Sequence, residues 1–132
     1  MDLRIEPGKD IDELAANVIG AAIEVHKHLG PGYMESVYEQ ALAVELKLRG
    51  IVHARQHPVS VAYKGNSVGE GRLDFLVGEK LIVELKAVES VMPIHKSQLI
   101  SYLKVLSLPL GLLMNFNVRM MRDGIQRIVL SP

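Results

Sequence analysis

From Val52 to Val88 apolar residues recur at every second position, the period of a strand with one buried face. Two glycine-bearing turns, Lys64-Gly65-Asn66 and Gly78-Glu79-Lys80, divide the stretch, so three consecutive strands are expected: a first around Val59–Tyr63, then Arg72–Val77, then Leu81–Val88. The remainder reads as cover for that sheet. A first helix is expected from about Ile11 to Leu29, with Asp10 as N-cap, Glu13 completing a capping box, and Leu14, Val18, Ala21 and Val25 on its buried stripe. Gly30-Pro31-Gly32 ends it. A second helix, about Met34 to Arg49, carries Val37, Ala41, Val44 and Leu48 on one stripe. Pro93 opens a third helix that runs through about Leu106, with Leu99, Leu103 and Leu106 facing the core. Leu110–Phe116 and Ile125–Leu130 close the chain as strands joined around Arg122-Asp123-Gly124. The order ααβββαββ defines a mixed α/β sheet with helices packed on it.

Composition bounds the chemistry. The 132 residues, 48% hydrophobic and 23% charged, suit one globular domain with a core over about residues 11–130 and exclude a disordered chain. The absence of cysteine excludes disulfides, thiolate zinc sites and a Cys nucleophile, and it fits the cytoplasm as the expected location. Met1–Glu6 lacks the apolar core of a signal peptide, and no window is apolar enough to span a membrane. Fifteen basic and fifteen acidic residues cancel, so a polyanion would have to be held by a local patch.

The hairpin Arg72–Val88 carries the sharpest signal. A three-residue turn centred on Glu79 sets Leu73 opposite Leu85, Phe75 opposite Val83 and Val77 opposite Leu81, three apolar pairs on one face. The same register sets Asp74 opposite Glu84, with Cβ atoms about 5 Å apart. Lys86 projects to the same side. Two like charges at that distance repel by about 3 kcal/mol at an effective dielectric of ~20. A divalent cation converts that repulsion into coordination, and magnesium favours such oxygen ligands. The competing reading is an exposed charge cluster that splays into water, neutralised by Arg72 or Lys86. On the third helix Gln98 and Tyr102 share a face away from the leucines, and His95 extends it by a turn.

These residues resemble a known group. Asp74 followed by Glu84-Leu85-Lys86 is similar to the D…(D/E)-x-K signature of the PD-(D/E)xK nuclease superfamily, although Leu73 stands where the name has proline. Gln98-Leu99-Ile100-Ser101-Tyr102 resembles the Q-x-x-x-Y helix motif of its exonuclease-related branches. Gly32-Tyr33-Met34-Glu35-Ser36-Val37-Tyr38 matches the string that names the small GxxExxY family within it. The resemblance implies a restriction-endonuclease-like fold and a metal-dependent nuclease using Mg2+ or Mn2+, on DNA in preference to RNA. It implies Asp74 and Glu84 as metal-binding carboxylates and Glu35 as a further ligand or the orienter of a metal-bound water. Lys86 would act on the attacking water and the transition state, while Gln98 and Tyr102 would support the site or touch the phosphate backbone. The alternative is an inactive nuclease-like binding or scaffold module. Contact with nucleic acid is expected to be weak and local; homodimerisation and a separate targeting partner are open, and no membrane partner is expected.

Other residues read differently. His26 and His28, two apart on a helix, point to nearly opposite sides and share no metal; His26 is a packing histidine or borders the site. His53 and His57 lie ~13 Å apart along a strand, too far for one ion. Glu39 is expected as solvated surface. Gly69 and Gly71 lack the context of a phosphate loop. The six methionines read as gap-filling core, with a subunit contact at Met120-Met121 left open.

Overall fold

The computed structural model describes residues 8–130, so the opening Met1–Glu6 lies outside it. The elements are α1 (Lys9–Leu29), α2 (Glu35–Leu48), β1 (His53–Tyr63), β2 (Asn66–Val77), β3 (Leu81–Lys86), α3 (Pro93–Leu106), β4 (Leu110–Asn115) and β5 (Ile125–Val129). They reproduce the expected order. The sheet runs β1-β2-β3-β4-β5 in sequence order, antiparallel throughout except for the parallel pair β3–β4. A parallel neighbour requires a crossover, and α3 supplies it.

Both faces of the sheet are covered. On one, Val18, Ala21, Ala22 and Val25 of α1 and Tyr38, Leu42 and Leu46 of α2 pack on Phe75, Val83, Leu85 and Leu112. On the other, Leu99 and Leu103 of α3 pack on Val59, Leu76, Ile82 and Leu113. Two-sided cover explains why β3 and β4 are buried along nearly their whole length instead of alternating.

Four expectations need correction. The buried stripe of α2 is Tyr38-Leu42-Leu46, one residue on from the valine stripe; Val44 and Leu48 are exposed. Both stripes have helical spacing, and the larger side chains, with a buried Tyr38 hydroxyl that finds partners, won the core. The N-cap of α1 is Gly8, with Asp10 inside the first turn, where an acid still suits the positive end of the helix dipole. Strand β2 starts at Asn66 instead of Arg72, because pairing with β1 extends the ribbon through residues that bury nothing. The connection between β4 and β5 is longer than a hairpin turn and includes a 3-10 turn at Met121–Gly124. Gly124 is obligatory there, since a Cβ would collide with the Asn115 carbonyl.

Candidate active site

Strands β2 and β3 pair at Val77↔Leu81, Leu76↔Ile82 and Phe75↔Val83, in the expected register, and then the ladder stops. Asp74 and Glu84 stand one step beyond. Here the acids replace the ladder. The Leu85 N–H donates to Asp74 Oδ2 at 2.8 Å, and the Asp74 N–H donates to Glu84 Oε1 at 3.3 Å. Beyond this fork β3 continues on β4 as far as Lys86↔Asn115. The β1 side is disturbed at the same level. Gln56 adopts φ 50° between the pairs Arg55↔Phe75 and His57↔Leu73. Past that kink Leu73 packs with Val59, Leu99 and Leu103, on the opposite side of the sheet from Phe75. The third expected apolar pair, Leu73 with Leu85, is therefore not formed. The alternation on which it rested breaks at Asp74.

Glu84 is 7% exposed. Burial, then the charge of Asp74 and hydrogen bonding with its side chain, push the carboxyl up to about 9, against an opposing pull from the Asp74 N–H and from Lys86. Glu35, the first residue of α2, is also raised; loss of hydration leads, followed by Asp74, while Lys86 acts in the opposite sense. Glu35 is exposed as a whole residue, so its rise is the lesser perturbation. Asp74, Glu84, Lys86 and Glu35 thus feel one another's fields. Glu84 itself is withdrawn from water, which disfavours the freely splayed surface reading at that residue.

Three residues missed from sequence organise this group. Glu39 Oε2 accepts from Arg55 at 2.8 Å, and its Oε1 accepts from the Gln56 amide at 2.5 Å. The same Gln56 amide reaches Asp74 Oδ1 at 3.4 Å. Glu39 is therefore paired and only partly exposed, not free surface. Asn115 is buried at the end of β4, where its Oδ1 accepts from Val88 and Asn117 and its Nδ2 donates to the Val88 carbonyl. It staples the chain that leaves Lys86. A lone amide in Leu112-Leu113-Met114-Asn115-Phe116 was the available signal; Glu39 and Gln56 gave none, because their partners are remote in sequence.

The Gly32–Tyr38 string has a mechanical reading. The buried Tyr38 hydroxyl donates to the Gly30 carbonyl at 2.6 Å and accepts from the Tyr33 N–H at 3.1 Å. Its ring stacks on Phe116 at 4.6 Å between centroids. Gly32 takes φ 109°, a conformation that L side chains rarely adopt. Together they fix where α2 starts, and so where Glu35 stands.

Gln98 and Tyr102 share a face of α3, and the Gln98 amide donates to the Tyr102 hydroxyl at 3.3 Å. Tyr102 lies over Gly71, where a Cβ would come within 2.5 Å of its hydroxyl oxygen. That seats the pair three residues before Asp74 on β2. Among the described residues no hydrogen bond joins either of them to Asp74, Glu84 or Lys86. His95 accepts from the Met92 N–H and caps α3. His26 is buried, donates from Nε2 to the Val118 carbonyl at 2.8 Å and lies 6.5 Å from the Phe116 ring. His28 pairs with Glu24 on the exposed side of α1. Among the described residues no group of three His, Asp or Glu converges as a ready-made metal cage.

A five-stranded mixed sheet between helices, forked at an acid pair with a lysine two residues on, is the restriction-endonuclease-like arrangement. The model of the PD-(D/E)XK nuclease superfamily matches residues 12–128, and the chain belongs to that superfamily. No curated protein matches the sequence significantly. No helix among the described residues is long and apolar enough to cross a membrane.

Proposed function

We propose that this chain is a Mg2+- or Mn2+-dependent nuclease of the GxxExxY group that hydrolyses phosphodiester bonds in nucleic acid, DNA in preference to RNA, in the cytoplasm. One observation carries the reading. Asp74 and Glu84 oppose each other where the sheet parts, and burial together with the charge of Asp74 raises the Glu84 carboxyl. Held alone, the pair costs stability; shared with a hard cation, it gains coordination, with water filling the remaining positions. Held by Asp74 and Glu84, such a cation would supply Lewis acidity toward the phosphoryl oxygen and would lower the pKa of water.

The chain's own groups divide the remaining work. Asp74, oriented by the Leu85 N–H and the Gln56 amide, and Glu84 supply the oxygen ligands. Glu35 orients the attacking water from the start of α2, and Lys86 balances the charge that grows on the phosphorus oxygens in the transition state. The oxygen of the attacking water bonds to phosphorus and gives up one proton to solvent, the phosphorus–oxygen bond to the leaving sugar breaks, and the leaving oxygen takes up a proton in its place. Gln98 and Tyr102 support the nucleic-acid strand from α3, while His26 packs behind the site from α1.

Single-turnover cleavage of labelled single- and double-stranded DNA and RNA, with manganese or with EDTA, tests the proposal. Cleavage that requires the metal and disappears in Glu84→Ala is expected. Metal binding by calorimetry with no cleavage of any substrate would instead identify a binding or scaffold module.

A further inference from the structure

A cavity of about 480 Å³ opens between the C-terminal part of α1, the Gly30-Pro31 loop and the segment that follows β4. Its volume is in the range of small-ligand pockets. Lys27, Arg119 and Arg122 line it, beside apolar walls from Ile23, Pro31 and Met120. No carboxylate lines it, and among the described residues none of the three cations forms an ion pair. In a chain with zero net charge this is a local concentration of positive charge of the kind a polyanion needs.

A chain of contacts runs from the cavity wall to the backbone of Lys86. His26 in its wall lies 6.5 Å from the Phe116 ring. The Phe116 N–H donates to the Lys86 carbonyl at 2.9 Å, and Phe116 also stacks on Tyr38, whose hydroxyl holds Gly30 of the cavity rim. From Asn115, the strand partner of Lys86, to Arg119 is four residues, ~14 Å of extended chain at most. The bond from His26 Nε2 to the Val118 carbonyl fastens the Arg119 segment to α1.

We propose that this cavity is a subsite for one nucleotide of the substrate strand, flanking the phosphodiester cleaved at Asp74 and Glu84. Arg119, Arg122 and Lys27 hold its phosphates, and Ile23, Pro31 and Met120 take the apolar faces of sugar and base. The assignment deepens the nuclease reading and rests on it.

The test reads binding without chemistry. A fluorescein-labelled single-stranded DNA dodecamer is titrated with protein in EDTA at several KCl concentrations, and affinity is followed by anisotropy. The double variant Arg119→Ala/Arg122→Ala should bind at least tenfold more weakly. Its slope of log K against log salt should be shallower by about 1.4, two single-strand phosphate contacts at ~0.7 each. All three cations are exposed, so melting should be unchanged. The control Lys47→Ala/Lys80→Ala, elsewhere on the surface, should bind within twofold of wild type. A pocket variant that also binds within twofold of wild type overturns the subsite. Adenosine monophosphate should compete only at concentrations at least a hundredfold above the dodecamer; competition at equal concentration would make the cavity a free-nucleotide site and overturn the assignment to the strand. Cleavage with manganese is scored separately, so failure of the wild type to cut counts against the nuclease reading while the EDTA titration decides the cavity.

Discussion

Asp74 and Glu84 face each other where their strands have stopped pairing, and each carboxylate accepts a backbone N–H from the other's strand. The acids thus do two jobs at once: they terminate a ladder and concentrate negative charge. The first needs only a lone pair on each side chain. The second is costly in the absence of a cation, and the pH response of the protein follows from it.

A folded-state pKa raised to about 9 from 4.5 means that the folded protein holds the Glu84 proton more tightly than the unfolded chain does. The resulting stability is fully present below about 4.5 and is lost as pH climbs toward about 9, with a slope of at most about 1.4 kcal/mol per pH unit for one proton. Urea denaturation in EDTA at pH 5.5, 7 and 8.5 should show this decline. Glu84→Gln should flatten it and be at least as stable as wild type at pH 8.5. An unchanged slope in that variant would assign the proton to another group. Divalent cations should stabilise most at the alkaline end, where no proton has to leave.

Lys86 should separate binding from chemistry. Lys86→Ala should keep its magnesium or manganese affinity within a few-fold and lose at least ~100-fold in single-turnover cleavage, the scale of one well-placed electrostatic donor. Lys86→Arg should not restore the rate, since a planar fork does not occupy the place of a compact ammonium. Full cleavage by Lys86→Ala would move the chemistry elsewhere.

Gln56 orients Asp74 and holds Glu39 with the same amide. Gln56→Ala should lower metal affinity by ~10-fold, the usual cost of removing a group that orients a ligand. The residue is exposed, so stability should move by no more than about 0.5 kcal/mol. Calorimetric titration of the variant beside wild type reads the first, and urea melts read the second. Unaltered metal affinity would reduce the contact to surface pairing.

Asn115→Leu should behave in the opposite way. It strips the Val88 N–H and carbonyl of their partner, at a cost of about 2–3 kcal/mol in urea denaturation. Cleavage should fall as well, because the staple holds the chain leaving Lys86. A stable and fully active Asn115→Leu would show that water satisfies Val88 equally well.

The order of elements and the hairpin register from Val77↔Leu81 to Phe75↔Val83 were legible because each is set by short-range spacing: a period of two, a turn centred on Glu79, leucines on α3. The stripe of α2 was not, since two stripes of equal period compete and only the partner surface, with Phe116 waiting for Tyr38, decides between them. Leu73 misled because alternation assumes a regular strand, whereas the kink at Gln56 and Asp74 turns the residue to the other face. Glu39, Gln56 and Asn115 act through pairings between distant segments, to which local periodicity is blind.

From Ser60 to Glu70 every residue of the β1–β2 ribbon is exposed, and its apolar members, Val61, Tyr63 and Val68, cover nothing. A ribbon that contributes no burial to either core can be lengthened, shortened or rewritten at little thermodynamic cost. Its base is another matter, because the same two strands run on into the kink at Gln56 and the acid at Asp74. One hairpin therefore joins a tip that is free to diverge to a root that is not. The tip can thus change what it touches without disturbing Asp74 at the root.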